Sequence, residues 1–272
     1  CLKVSFRLGP SGPSKFWKTV QNWAMASAAT LTDVASPEDI TAAAQESRLL
    51  VIRHGETTWN AERRIQGQLD INLTELGRAQ AKCAAEALQR LGLAAKVDAV
   101  VSSDLARASE TADIISEVCP DAVRCRTPGL REINFGVIQG KLDHEVKKDR
   151  EVFNGAWQSG DFEPAYPEGE SAADVIQRGM QSLRDAAQSG SLVIVVTHGG
   201  LKRWCAVNIA LQEQPSSPEL MASESVMQVL QAPIRNCCCS TLVFDKAADR
   251  FRSEGWFEDL GKLGVSARDD TG

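Results

Sequence analysis

The sequence predicts an α/β fold, a three-layer α/β/α sandwich with a mostly parallel central sheet. Short apolar runs rich in β-branched residues, such as 49–52 and 193–196, lie between segments that contain charged residues or glycine, as in strands buried on both faces. Segments whose apolar residues recur at helical spacing separate these runs. Strands that alternate with helices favour a parallel sheet covered by helices on both faces.

The helix predicted over 74–91 is typical of these elements. Its apolar residues lie on one face, and Thr74 is suited to be its N-cap. The predicted order is a strand at 48–53, a helix at 74–91, a strand at 97–101, a helix at 105–118, a strand at 122–125, a loop at 127–140, helices at 142–158 and 171–189, a strand at 192–196, a helix at 201–210, and strands at 226–231 and 237–244.

Residues 1–46 differ in composition from the rest. No acidic residue occurs before Asp33, and serine, threonine and alanine are frequent. We expect an N-terminal extension at 1–46 that is either a transit peptide or a flexible leader, one domain at 47–262, and a flexible tail at 263–272. We expect a soluble intracellular protein in the cytoplasm, or in a plastid or another organelle if the extension is a transit peptide.

Composition narrows the range of partners. A net charge of -6 and a sequence pI of about 5.3 give no reason to expect binding to nucleic acid. No stretch of apolar residues approaches the length of a membrane span.

The eight cysteines are expected to be reduced thiols. Cys237, Cys238 and Cys239 lie in a predicted strand, where successive side chains point to opposite faces, so they are expected to be buried rather than to bind one metal ion.

Two of the three histidines follow predicted buried strands directly. His54 comes after 49–53, and His198 comes after 193–197. Open α/β sheets place their ligands at the carboxyl ends of strands, so the two imidazoles converge on one pocket if the strands are neighbours. One such histidine alone fits a structural role equally well, whereas two favour nucleophilic or acid–base chemistry. His144 has no such setting and is expected at the surface.

Two charged residues, Arg107 and Glu132, are further candidates for this pocket, but their positions in the sequence are less informative. Arg107 lies one turn into the helix after the strand at 97–101, and Glu132 lies in a glycine-containing loop. Taken alone, each is typical of a solvated surface residue.

Taken together, the motifs around these residues resemble the histidine phosphatase superfamily, the phosphoglycerate-mutase-like clan. They occur in the family's order and span about 48–244. Asn72 departs from the pattern, since many members have proline there. The motifs are Arg53-His54-Gly55-Glu56-Thr57-Thr58-Trp59-Asn60, the segment Gln66 to Gly77, Ser102 to Ala108, Glu132, Gly169-Glu170-Ser171 and Thr197-His198-Gly199-Gly200.

The resemblance implies a reaction that needs no metal and no cofactor. Neutral His54 attacks phosphorus and becomes a phosphohistidine, while Glu132 protonates the leaving oxygen and then accepts a proton from water. Arg53, Arg107 and a cationic His198 surround the phosphoryl oxygens.

The resemblance also assigns binding residues and a substrate class. Asn60 would add a hydrogen bond to the phosphoryl group, and Gln66, Gly67 and Gly199 would contact the substrate. The substrate is expected to be a small phosphorylated metabolite. The enzyme class implied is a phosphoric monoester hydrolase of the histidine acid phosphatase type.

Mutases share this set of residues, so another feature must decide between the branches. In the family, mutases carry a long insertion after the acid segment, whereas here only residues 141–168 separate Gly140 from Gly169. Without such an insertion, water can reach the phosphoenzyme, which favours hydrolysis by a phosphatase over transfer by a mutase. A phosphoglycerate mutase and a non-catalytic phospholigand-binding module stay open as alternatives.

The segment 255–261 resembles the end of plant phosphoglycerate-mutase-like proteins, some of which resemble metal-independent phosphoserine phosphatases.

Substrate choice is expected to lie in 134–168. The candidate pocket residues, each also typical of packing or surface, are Phe135, Lys141, Trp157, Phe162 and Tyr166. The oligomeric state stays open, and the apolar stretch 226–234 is interpreted as an edge strand or an interface.

Overall fold

The computed structural model describes residues 45–213, 221 and 223–260. Most of the predicted extension and all of the predicted tail at 263–272 lie outside these residues. Within them the elements are β1 (Glu46–Arg53), α1 (Thr58–Ala61), α2 (Glu75–Arg90), β2 (Ala99–Ser103), α3 (Ala106–Ser116), β3 (Val123–Thr127), α4 (Lys147–Gln158), α5 (Ala172–Ala187), β4 (Leu192–Thr197), α6 (Gly199–Glu213), α7 (Glu224–Gln231), β5 (Cys238–Asp245) and β6 (Arg250–Asp259).

The strands form one mixed sheet in the order β3-β2-β4-β1-β5-β6. The first four are parallel, while β5 runs antiparallel to both β1 and β6. Strands β1 and β4 are neighbours, with Arg53 opposite Thr197. The predicted fold class is confirmed, and the carboxyl ends of the two histidine-bearing strands lie side by side.

Alternate residues of the central strands enter two separate hydrophobic cores. Leu49 and Val51 pack in the core that contains apolar residues of α5, α6 and α7. Leu50 and Ile52 pack in the core formed with α2 and α3. This alternation follows from the strand period of two and produces the three layers.

Helix termini agree with the predicted capping. Thr74 accepts a hydrogen bond from the Gly77 N–H at 3.0 Å, so the predicted N-cap of α2 is confirmed. Ser171 and Asp174 form a capping box at the start of α5. These caps satisfy backbone N–H groups that have no partner inside the helix.

The prediction of a strand at 226–231 is wrong, because this segment lies in helix α7. A strand would turn residues 226 and 228 to one face, yet Val226 is buried and Gln228 is exposed. The buried pair is Val226 and Val229, which are three residues apart and share a helix face. The interpretation of 226–234 as an edge strand is therefore also wrong for the helical part, whose buried valines pack in the core. The alternative that this segment forms an interface stays a prediction.

Other element boundaries differ from prediction. The helix predicted at 142–158 begins only at Lys147, and α6 is longer than predicted, at Gly199–Glu213. The sequence pattern does not predict strand β6, because register shifts against β5 and a positive φ of 51° at Phe257 disrupt its alternation.

Several smaller expectations hold. His144 is exposed, and Cys237, Cys238 and Cys239 are buried free thiols. Burial raises the pKa of Cys237 and of Cys239 to about 12, so these two thiols stay protonated at neutral pH. No helix among the described residues is both long and apolar enough to cross a bilayer.

Candidate active site

The two strand-end histidines face each other. His54 follows β1 and His198 follows β4, and the centroids of their rings are 5.1 Å apart. Their relative exposures are 2% and 0%, so both imidazoles are removed from water. The backbone N–H of His54 donates to the Thr197 carbonyl at 2.9 Å, which joins the two strand ends. The predicted convergence of these residues is observed.

The backbone selects the tautomer of His54. Its Nδ1 lies 2.6 Å from the Gly55 carbonyl oxygen, which can only accept a hydrogen bond. Nδ1 therefore carries the proton and Nε2 keeps its lone pair. The Gly55 N–H donates to Thr111 Oγ1 at 3.0 Å, and that hydroxyl donates to the Arg107 carbonyl at 2.7 Å. These contacts fix the orientation of the His54 ring and of its Nε2.

Two guanidinium groups, those of Arg53 and Arg107, lie close enough to the histidines to lower the pKa of both rings. Arg107 donates from Nη1 to the Leu69 carbonyl at 2.9 Å and from Nη2 to the Gly67 carbonyl at 2.7 Å. Arg53 donates from Nη1 to the Ile234 carbonyl at 2.6 Å. Within the described part of the chain, the Nε of each arginine is buried and has no hydrogen-bond partner. Burial lowers the pKa of Arg107 to about 10, so the group still carries its charge at neutral pH.

Burial and these arginines keep both histidines neutral. Burial, then Arg107 and Arg53, hold the pKa of His54 well below its usual value, and burial and Arg107 do the same for His198. In the free protein, desolvation and the nearby arginines oppose a positive charge on His198. The prediction of a cationic His198 concerns the ring beside a bound phosphoryl group, and it stays a prediction. A neutral imidazole still offers one N–H donor to a phosphoryl oxygen.

These histidines should make the fold less stable in acid. Because their folded pKa values lie below the ordinary 6.5, the unfolded chain binds more protons once the pH falls below 6.5. We expect the free energy of unfolding to fall with decreasing pH by up to about 1.4 kcal/mol per pH unit for each histidine. Urea denaturation at pH 7, 6 and 5 measures this slope. A His198→Gln variant should show a shallower slope, and an unchanged slope would contradict the assignment.

Glu132 caps the first turn of α6. Its Oε2 accepts from the Gly200 N–H at 2.9 Å, and its Oε1 accepts from the N–H groups of Leu201 at 3.0 Å and Ile133 at 2.9 Å. These three contacts fix the carboxyl group at the wall of the cavity that His54 also lines.

Gly200 is required by this close approach. A Cβ atom at position 200 would lie 2.5 Å from Glu132 Oε1 and 2.7 Å from Ile133 Cδ1. We expect Gly200→Ala to displace the carboxylate and to lower kcat by about 10²-fold, since small misplacements of a catalytic group are costly. Steady-state kinetics tests this. Gly155→Ala is the matched control, because a Cβ there meets no atom within 4 Å, and equal losses in both variants would refute the argument.

The match to known proteins covers most of the described chain. The profile of the histidine phosphatase superfamily (branch 1) matches residues 49–256. The chain belongs to the histidine phosphatase superfamily. It is 36% identical over 198 residues to the metal-independent phosphoserine phosphatase of Arabidopsis thaliana, covering 71% of this chain and 80% of the relative.

Two further relatives of this histidine phosphatase carry different names. The phosphoglycerate mutase-like protein 4 of Arabidopsis thaliana is 39% identical over 161 residues, covering 58% of this chain and 68% of the relative. The mycobacterial glucosyl-3-phosphoglycerate phosphatase, solved in complex with VO3, superimposes with a TM-score of 0.61 at 30% identity and covers 78% of this chain and 99% of that one.

The predicted site residues other than His198 line one cavity of about 400 Å³. His198 lies beside His54 with both ring nitrogens unpaired within the described residues. The cavity-lining residues of the prediction are Arg53, His54, Asn60, Gln66, Gly67, Arg107, Glu132 and Gly199.

Three of the predicted binding residues are held by neighbours. Asn60 Oδ1 accepts from the Thr57 N–H at 3.1 Å, so its NH2 group is the end able to donate to a phosphoryl oxygen. Gln66 Oε1 accepts from the Thr57 hydroxyl at 3.0 Å. Gly67 has a φ of 56°, and its carbonyl accepts from Arg107, so this glycine positions a guanidinium group.

The structure adds residues that the sequence did not indicate. Asn236 Nδ2 donates to the His54 carbonyl at 3.0 Å and to Asn60 Oδ1 at 3.4 Å. It precedes β5 by two residues and contacts a partner 182 positions away, so no local pattern marks it. Arg63, Arg64, Arg150 and Arg203 also line the cavity.

The predicted specificity region divides between cavity and core. Phe135 lines the cavity. Trp157 and Tyr166 are buried in the core, with their rings edge to face at 5.5 Å. Lys141 is exposed and Phe162 packs partly buried against the core.

Proposed function

We propose that this chain hydrolyses small phosphate monoesters without a metal ion, through a phosphohistidine on His54. The observation that carries this proposal is the His54 Nε2 lone pair, fixed by the bond from Nδ1 to Gly55, in a cavity that the guanidinium groups of Arg53 and Arg107 also line. The names of the relatives, which include a metal-independent phosphoserine phosphatase, support it.

In the first step, His54 Nε2 attacks phosphorus in line with the ester oxygen. The N–P bond forms as the P–O bond breaks, and Glu132 transfers its proton to the leaving oxygen. Arg53 and Arg107 neutralise the charge that spreads over the equatorial oxygens, which is the main requirement of phosphoryl transfer. Asn60 and His198 supply hydrogen-bond donors to the same oxygens.

In the second step, water attacks the phosphohistidine. The new P–O bond forms as the N–P bond breaks, and Glu132 takes a proton from the water, which returns it to its starting state. Inorganic phosphate leaves and His54 regains its neutral form. The same carboxyl group therefore serves both steps.

We place the enzyme among histidine phosphatases active in mild acid. A protonated imidazole cannot attack phosphorus, and an ordinary histidine becomes protonated below pH 6.5. The lowered pKa of His54 keeps the nucleophile available below that value. A profile of kcat/KM against pH should therefore extend undiminished below pH 6.5, and a loss of activity centred there would argue against this class.

The test is hydrolysis of an aryl phosphate in the presence of a chelator. We expect turnover to persist, and rapid acid quench during turnover to trap a phosphoprotein that is labile in acid. Sensitivity to the chelator would indicate a different mechanism. The mutase alternative, which the name of one plant relative favours, predicts rapid isomerisation of 3-phosphoglycerate with a bisphosphate primer and little free phosphate.

A further inference from the structure

The motif Gly169-Glu170-Ser171 has no part in the proposed reaction, yet its glutamate forms an ion pair beside the segment that carries Glu132. Glu170 lies directly before Ser171, the N-cap of α5, and its partner Arg178 lies further along the same helix. The Nε of Arg178 donates to Glu170 Oε1 at 2.7 Å, and its Nη2 donates to Oε2 at 2.8 Å. A bidentate pair of this kind holds the guanidinium group in one orientation.

The remaining donors of Arg178 reach the backbone that leads to Glu132. Its Nη1 donates to the carbonyls of Gly129 at 3.1 Å and Arg131 at 2.7 Å, and its Nη2 donates to the Glu132 carbonyl at 2.9 Å. A guanidinium group has five N–H donors, so the two bonds to Glu170 and the three to this segment use all of them. Arg178 therefore connects α5 to the loop at 129–132.

Glu170 holds the other end of the same loop. Its Oε2 accepts from the Asn134 N–H at 2.8 Å, and its own N–H donates to the Asn134 carbonyl at 2.9 Å. Gln68 Nε2 donates to the Glu132 carbonyl at 3.1 Å and to Glu170 Oε2 at 3.4 Å. The side chains of Arg178 and Glu170 are 21% and 19% exposed, so water screens this ion pair less than it screens a surface pair.

These contacts restrict where the Glu132 carboxyl group can lie. Its backbone is held from α5, while its two oxygens accept from the N–H groups of Gly200 and Leu201 at the start of α6. In the described part of the chain, neither Arg178 nor Glu170 lines the cavity of about 400 Å³. The pair can therefore influence the reaction only through the residues that it holds.

We propose that Arg178, paired with Glu170, is a positioning residue for Glu132, the general acid and base of the reaction. This inference rests on the proposed function, since it requires proton transfer by Glu132. Proton transfer needs hydrogen-bond reach, and a small displacement of a catalytic group has a large effect on rate. Without Arg178, three backbone carbonyls around Glu132 lose a donor, and the loop is free to shift.

Arg178→Lys tests this geometry while it keeps the positive charge. The charge must be kept because Arg178 is one of the groups that lower the pKa of His198, after burial and Arg107. An ammonium group has three donors and no planar fork, so it cannot make the five contacts. We expect the first turnover of an alkyl phosphate to slow by about tenfold to 10²-fold, because its leaving oxygen needs the proton from Glu132.

An aryl phosphate should respond to Arg178→Lys in a different way. Its first turnover should keep the unaltered rate, because an aryl oxide leaves without a proton. Later turnovers should slow by about tenfold to 10²-fold, because Glu132 must also take a proton from water. Stopped-flow kinetics would then show a burst of phenol, and rapid quench measures the first turnover of the alkyl ester. A general loss of folded protein would not produce this difference between the esters.

Two further variants keep the test sound. Arg184→Lys is the matched control, because Arg184 lies on the same helix with a side chain that is 29% exposed and pairs with Asp249 at 3.2 Å, away from Glu132. We expect it to leave both turnovers of both esters unchanged. If thermal unfolding shows that Arg178→Lys is unstable, Glu170→Gln replaces it, since this change preserves side-chain size and removes one charge of the pair. The same burst is expected.

A double variant decides whether Arg178 acts through Glu132. In Glu132→Gln the positioned group is already removed, so the addition of Arg178→Lys should slow turnover by less than about twofold. Losses that multiply in the double variant would overturn the inference. Equal slowing of the first turnover for both esters in Arg178→Lys, or no slowing, would also overturn it and leave the phosphatase function intact. Failure of the unaltered protein to hydrolyse either ester would instead overturn the proposed function.

Discussion

We expect His54→Ala to abolish hydrolysis, with kcat lowered by at least roughly 10⁴-fold, the scale of loss seen when a catalytic nucleophile is removed. The reason is structural as well as chemical. The other ring nearby, His198, is neutral and buried, but no carbonyl among the described residues fixes its tautomer, so it cannot replace an oriented Nε2. Steady-state kinetics and acid-quench trapping of the phosphoprotein should both fall to background.

The chain offers a matched control for this experiment. His144→Ala removes the exposed third histidine and should retain full activity. Thermal unfolding should show that His54→Ala remains folded, because His54 follows β1 and its side chain takes no part in the hydrogen bonds of the sheet. Partial rescue of His54→Ala by added imidazole would support a nucleophilic role. Trapping of phosphoprotein in His54→Ala at the wild-type level would contradict it.

Glu132→Gln should have the second largest effect. Removal of a general acid and base costs about 10²-fold to 10⁴-fold in rate. The loss should depend on the leaving group, since an aryl oxide leaves without assistance whereas an alkoxide needs the proton. We therefore expect the first step to survive for an aryl phosphate and the second to fail, which gives a burst of phenol followed by an accumulated phosphoprotein.

Stopped-flow kinetics with an aryl phosphate measures this burst, and an alkyl phosphate should show none. Glu163→Gln, at an exposed position, is the matched control. The amide introduced by Glu132→Gln would also direct an NH2 group at a backbone N–H from which the carboxylate now accepts, so Glu132→Asp is a useful second variant. If alkyl and aryl phosphates lose activity equally and no burst occurs, Glu132 acts on binding rather than on proton transfer.

Much of the fold follows from residues whose burial repeats with a clear period. The runs at 49–52 and 193–196 are buried on both faces, so their apolar residues are continuous and the strands are recognisable. The segment 226–230 contains valine, methionine and leucine around one glutamine, a pattern that suits either a strand or a helix in a short stretch. Contacts with the core decide in favour of α7, and these contacts are not local.

The residues of the candidate site also differ in how well the sequence predicts them. The histidines follow recognisable strands, and the adjacency of β1 and β4 brings them together. Asn236 gives no such signal, because an asparagine before a strand is common and its partners are remote carbonyl and amide oxygens. The lowered pKa of His198 in the free protein is not predictable from the sequence for a related reason. It depends on complete burial and on Arg107, neither of which is visible in the residues around position 198.

The buried histidines and the mouth of the cavity belong to parts of the chain with different freedom to change. His54 and His198 are anchored at the ends of fully enclosed central strands, whereas Arg63, Arg64 and Phe135 lie on loops. Loops tolerate substitution and insertion far better than buried strands do. Substitutions at the entrance can therefore reshape the cavity mouth while the buried histidine pair keeps its position.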